Sequence, residues 1–210
     1  LTREEANSLI EAAKVLPRDG HPAFHLADFI VLALHTGCRS GELLGLEWDR
    51  VDLRNNLIRL EAKHTKSGKG RSVPINGSAR AVLLNRARHR AEHCPDSPWV
   101  FVHSNPHWKG QRIHSVKKSF AAACKRAQLE DCTPHTLRHT CASWMVMAGR
   151  PLMEVRDILG HSTVKMTERY AHLAPENLRN AVNVLENRSH SGHTGLCGVK
   201  IDGSGRVVSS

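Results

Sequence analysis

Aromatic side chains are scarce: four Phe, four Trp and a single Tyr make up 4% of 210 residues. Any chemistry that runs through a phenol therefore has one candidate, Tyr170. Long hydrophobic runs are missing too. The longest, residues 29–34, falls far short of the roughly 20 residues that a bilayer crossing needs. No basic segment followed by an apolar one opens the chain, so neither a signal peptide nor a membrane anchor is expected. The six cysteines, at 38, 94, 124, 132, 141 and 197, form no Cys-x-x-Cys and no framework spacing. That pattern argues against a disulfide scaffold and for reduced thiols in the cytoplasm. No Gly-x-x-x-x-Gly-Lys-Ser/Thr loop occurs, which disfavours nucleotide hydrolysis.

Basic charge is in surplus. Thirty Lys and Arg against twenty Asp and Glu leave a formal charge of +10, with fifteen histidines in addition. Such an excess points to a polyanionic partner, nucleic acid first and an acidic membrane second, although a merely basic surface fits the count as well. The length suits one domain, or one domain with an appendage. Leu1 is not a start methionine, so the chain reads as a piece of a longer protein.

Periodicity predicts a mixed, mostly helical domain. Thr2 and Glu5 form a capping box ahead of Ala6, Leu9, Ile10 and Ala13 at helical spacing. Residues 24–35 are apolar almost all round and stop at Gly37, as a buried helix would. A short helix is expected around Glu42, Leu43, Leu44 and Leu46. Residues 57–63 and 71–75 read as two strands of a β-hairpin with a basic tip, and Pro74 confines the second strand to an edge. Helices are expected again at 78–91, 115–128, 136–148, 152–159, 163–170 and 176–186. Residues 188–210 are rich in Gly and Ser and read as an extension, with a strand pair around Asp202-Gly203.

Four local patterns carry chemistry. His135, Arg138 and His139 share one helix face, where the two side-chain types can donate to a single phosphate. The i,i+4 histidines resemble a zinc pair, but the metalloprotease pattern needs Glu where this chain has Thr136, and no third ligand follows; no metal is expected. His161 sits in a Gly160-His161-Ser162 break, and Tyr170 lies nine residues beyond it. Arg39 stands next to a helix N-terminus suited to anions, with Glu42 one turn on. Lys66, Lys69 and Arg71 surround the hairpin tip. Taken singly, each of these is equally a salt bridge, a solvated turn or a half-buried core residue.

In this order, however, the set resembles the tyrosine recombinases of the phage integrase family. Thr-Gly-Cys-Arg-Ser-Gly-Glu-Leu, His-Thr-Leu-Arg-His-Thr and Leu-Gly-His-Ser are close to that family's local patterns. The resemblance implies an α+β, mostly helical catalytic fold with a small antiparallel sheet. It spans residues 1–187, with 188–210 as a C-terminal extension and the family's N-terminal DNA-binding domain absent from this chain.

The resemblance further implies that Tyr170 attacks a DNA phosphodiester, forms a 3′-phosphotyrosyl bond and releases a 5′-hydroxyl. Arg39, Arg138 and His161 would hold the phosphate, His135 would take or shuttle the tyrosine proton, and Lys66 would protonate the leaving oxygen. Glu42 would orient the arginines, His139 would pack behind them, and Lys69 and Arg71 would contact DNA. No cofactor is implied, because two arginines supply the charge a metal would otherwise bring. Partners implied are a double-stranded recombination site, three further copies in a DNA-bound tetramer and accessory DNA-bending proteins; the apolar stripe of Leu178, Ala181, Val182 and Leu185 would dock on a neighbouring copy, the alternative being that it folds back on its own domain. The setting would be the cytoplasm of a bacterium, at the nucleoid. A type IB topoisomerase and a binding-only relative are the alternative readings.

Overall fold

The apolar stretch after residue 23 forms α2 (Phe24–Thr36), and four helices surround it. A helix this apolar has to be covered on most of its sides, and only the line of His25, Asp28, Val31 and His35 stays half-exposed among its described side chains. Here the covering elements are α1 (Arg3–Ala13), α3 (Ser40–Leu44), α4 (Gly77–His93) and α6 (Pro134–Met147). Leu26, Phe29, Ile30 and Leu32 are almost wholly buried, each worth about 1.5–3 kcal/mol of burial. Phe29 meets Phe101 edge to face with ring centres 6.0 Å apart. The computed structural model describes residues 1–14, 24–62, 68–103, 106–175, 200–201 and 207–208.

The expected capping box is present: Thr2 Oγ1 accepts from the Glu5 N–H at 3.1 Å, and the Thr2 N–H donates to the Glu5 carboxylate at 2.8 Å. The hairpin is present as well. Strands β2 (Leu57–Leu60) and β3 (Arg71–Pro74) pair antiparallel with Ile58 opposite Val73, and Pro74 does lie on an edge. A third strand, β1 (Val51–Asp52), extends the sheet to the order β1-β2-β3. Two residues give no alternation, so periodicity could not disclose it.

Helices α5 (Lys117–Arg126) and α7 (Leu152–Leu159) follow the expected spans, whereas α8 (Lys165–Glu168) is shorter than residues 163–170. The segment between α4 and α5 forms isolated bridges, Trp99 with Glu47 after α3 and Val102 with Arg112 within the segment. The chain divides into two compact units, Leu1–Pro175 and Glu176–Ser210. In the second, β4 (Lys200–Ile201) and β5 (Val207–Val208) pair antiparallel, as expected around Asp202-Gly203. Lys66 and the stripe at Leu178, Ala181, Val182 and Leu185 lie outside the described residues. Among the described residues no helix is long and apolar enough to cross a membrane.

Candidate active site

Arg138 organises the site from the middle of α6. Its Nη1 donates to the Gly37 carbonyl and its Nη2 to the Leu159 carbonyl, both at 2.7 Å. One buried guanidinium thus ties the turn after α2 to the end of α7. Those turns are also pressed together. Gly37 has φ +63°, and a Cβ there would come within 2.5 Å of the Leu159 side chain. Thr133 supports the start of α6, where its N–H donates to Thr136 Oγ1 at 3.0 Å and Pro134 takes the first helical position.

Arg39 precedes α3 and is held by Glu42 twice. Its backbone N–H donates to Oε2 at 2.8 Å and its Nη1 to Oε1 at 3.0 Å. Glu42 is itself 3% exposed. Burial pushes its carboxyl up, but hydrogen bonds from Arg71 and from the Arg39 backbone outweigh that and hold it below the usual range. Arg138 is pulled down to about 10 by burial and by Arg39, with Glu42 acting the other way. It remains protonated at neutral pH. Three guanidinium groups around one carboxylate leave an uncompensated positive site, suited to an anion.

His161 follows the left-handed Gly160 that ends α7. Its Nδ1 lies 2.9 Å from Thr167 Oγ1. Burial, followed by the charges of Arg138 and Arg39, lowers its pKa to about 4, so the imidazole is neutral at pH 7. Tyr170 packs its ring among Ala142, Val146, Val155 and Leu159. Its hydroxyl lies 2.5 Å from His139 Nδ1. Burial raises the phenol above its ordinary value, against the pull of Arg169 and Arg138. His139 is lowered by burial and by its neighbour His135. It is therefore a neutral acceptor placed on a protonated phenol.

Arg39, His135, Arg138, His139, His161 and Tyr170 all line one cavity of about 580 Å³, into which Lys165 and Arg169 also reach. Five of the six residues expected to be catalytic are thereby brought together from four separate stretches of chain. Over residues 1–177 the sequence matches the model of the phage integrase family. The chain belongs to the phage integrase family.

Among its relatives in that family is the integrase of Salmonella phage P22, 32% identical over 177 residues, which cover 80% of this chain and 43% of the relative. A tyrosine recombinase XerC from Corynebacterium glutamicum is 32% identical over 168 residues, covering 78% of this chain and 52% of the relative. The chain thus spans about half the length of the curated relatives it matches. The catalytic domain of bacteriophage HP1 integrase superposes with a TM-score of 0.66 at 26% identity, over 91% of this chain and 98% of that domain.

Within this phage integrase fold two residues depart from expectation. Arg71, expected on DNA, has a side chain only 9% exposed. Its Nη1 and Nη2 donate to the two Glu42 carboxylate oxygens at 3.1 and 2.8 Å, and its Nε donates to the Ile158 carbonyl at 3.1 Å. With all three nitrogens engaged, it braces β3 against α3 and α7. His139, expected to pack behind the arginines, is the imidazole that touches Tyr170. His135 stands edge-on to it, with ring centres 4.6 Å apart and planes at 85°. Spacing on a helix cannot tell i from i+4 when both face one way, so the expectation named His135 for the proton whereas His139 is the histidine in contact with Tyr170. Lys69 is exposed, as expected of a hairpin-tip residue. Lys165, Arg169 and Thr167 carried no sequence signal of their own beyond lying near Tyr170.

Proposed function

We propose that this domain cleaves and rejoins DNA as a site-specific tyrosine recombinase, using Tyr170 as nucleophile. The observation that carries the reading is the single cavity in which the only tyrosine, its hydroxyl on His139, faces Arg39, Arg138 and His161. The Tyr170 oxygen attacks the scissile phosphorus while His139 accepts the phenolic proton. Arg39 and Arg138 hold the non-bridging oxygens, and their charge is worth most when the transition state gains negative charge. His135, exposed at the cavity edge, is available to the same phosphate. The 5′-oxygen leaves with a proton from Lys66, and the 3′-phosphotyrosyl bond keeps the energy that a returning 5′-hydroxyl uses to rejoin the strand.

The partner that fits a +10 chain is duplex DNA, bound with a steep salt dependence because phosphate contacts dominate. Strand exchange is favoured over topoisomerase-like relaxation because the relatives above are integrases and recombinases. Its working form is a tetramer on a recombination site, with accessory DNA-bending proteins. Residues 1–187 act as the catalytic domain.

The test is incubation with nicked suicide duplexes carrying candidate sites, read as a covalent protein–DNA adduct on a denaturing gel. The intact chain forms the adduct. Tyr170→Phe binds the DNA and forms none; an adduct from that variant would refute the mechanism.

A further inference from the structure

We infer that Thr167 is a positioning residue: its hydroxyl donates to Nδ1 of His161, leaving the imidazole proton on Nε2, where it faces the cavity as a donor to the phosphate. The inference rests on the DNA-cleavage reading for the purpose of that donor, but not for the hydrogen bond itself.

Thr167 is 0% exposed, and its Oγ1 lies 2.9 Å from His161 Nδ1. Two arrangements fit that distance. If the imidazole carried its proton on Nδ1, the ring would donate to Oγ1, and the hydroxyl hydrogen of Thr167 would be left buried with no acceptor assigned to it. A buried donor without an acceptor is the arrangement that folded proteins avoid. If the hydroxyl donates instead, its one hydrogen is used and the ring has to be protonated at Nε2.

The surroundings make this assignment necessary for function. Arg39 and Arg138 line the same cavity as His161. Facing two cations, an isolated imidazole would turn a lone pair toward them, which an incoming phosphate would repel. Thr167, behind the ring, opposes that preference. When a phosphate then arrives between the arginines, it meets a third donor already in place and needs no tautomer change. Orienting partners behind a reactive imidazole commonly work this way.

Thr167 also fixes where the donor stands relative to the nucleophile. Its carbonyl accepts the Tyr170 N–H at 3.0 Å, and its own N–H donates to Val164. The same residue therefore holds the His161 ring with its side chain and the Tyr170 backbone with its main chain. If the α8 turn shifts, both are released together.

Nitrogen NMR of the full 210-residue chain, labelled with ¹⁵N-histidine, reads the tautomer in the free protein; the His161 signals are assigned by their loss in His161→Gln. The expected result is a protonated Nε2 and an unprotonated Nδ1 in the unaltered chain. Thr167→Val, nearly the same shape, loses that preference and slows adduct formation by about 10- to 100-fold, as removal of such partners does, while duplex affinity is unchanged. Thr167→Ser restores both the nitrogen pattern and the rate. A proton on Nδ1 in the unaltered chain overturns the inference, and so does a Thr167→Val protein that keeps the Nε2 proton and the full rate. If no form of the protein makes the adduct, the cleavage reading fails while the nitrogen shifts still decide the hydrogen bond.

Discussion

The guanidinium of Arg71 meets the carboxylate of Glu42 fork to fork, with both oxygens engaged at 3.1 and 2.8 Å and both side chains almost removed from solvent. Arg39 hangs from the same carboxylate. The position of Arg39 is thus fixed by an ion pair that is itself almost closed off from solvent.

Arg71→Ala leaves Glu42 as a buried charge with one partner fewer, and breaking such a pair costs about 3–5 kcal/mol. Urea denaturation should report that loss. The slope of log affinity against log salt should stay as it was, because no phosphate contact is removed; a lost contact would flatten it by about one. A flattened slope with unchanged stability would return Arg71 to the DNA surface.

His139→Gln should slow adduct formation by about 10²- to 10⁴-fold, the usual contribution of a proton acceptor. The unaltered chain also has a pH signature. His139 accepts a proton only when neutral, so cleavage falls as pH drops through its titration. Burial and His135 place that titration below the ordinary 6.5. Second-order rates at limiting DNA, which report the free protein, should therefore decline with a midpoint below 6.5. His139→Gln should lack this decline.

Arg138→Lys keeps the charge but replaces a planar fork with a single ammonium, which cannot span the Gly37 and Leu159 carbonyls. Single-turnover cleavage should fall by about 10²- to 10³-fold, as when a preorganised donor is lost. The thermal midpoint should fall too, since the two turns are no longer tied. Wild-type stability in this variant would mean that the carbonyl bonds are dispensable.

Acid should destabilise the fold from about pH 6.5 downward. His25, His89 and His161 each titrate near 4 in the folded protein, chiefly because burial disfavours their charged forms. In the unfolded chain they titrate near 6.5. Between those values the unfolded state holds more protons, so stability is complete above about 6.5 and declines as pH falls toward 4. Urea midpoints measured across that range should decrease steadily; a flat profile would place these imidazoles in water.

Local rules disclosed what was local. The Thr2–Glu5 box, the glycine stops after α2 and α7, and the hairpin with its edge proline all depend on neighbours within a few residues. Arg39, Arg138, His161 and Tyr170 were legible because each stands in a short pattern that resembles a family. Arg71 was not, because its partner Glu42 lies 29 positions away and a basic residue beside a hairpin tip looks solvent-bound. His139 was read as a packing residue for a geometric reason, since a helix shows its face but not which member of that face a distant residue will touch. Thr167 needed the fold outright: a threonine in a polar stretch has no periodicity to mark it as buried.

The ring of Tyr170 fills part of a small apolar cluster and is only 6% exposed. Withdrawing it, whether toward a neighbouring subunit or into solvent, would vacate that cluster as well as break the bond to His139. Burial of an aromatic ring is worth about 1.5–3 kcal/mol, and each 1.4 kcal/mol is a factor of ten. An unassisted chain would therefore hold its tyrosine outside the pocket in roughly one molecule in ten to one in a hundred. Tyr170 is thereby held in the cavity by the same contacts that fold α6 against α7. A partner that draws it out must refill the vacated space or supply the difference, and mutations that loosen Val146, Val155 or Leu159 would release the tyrosine without touching a single group that handles phosphate.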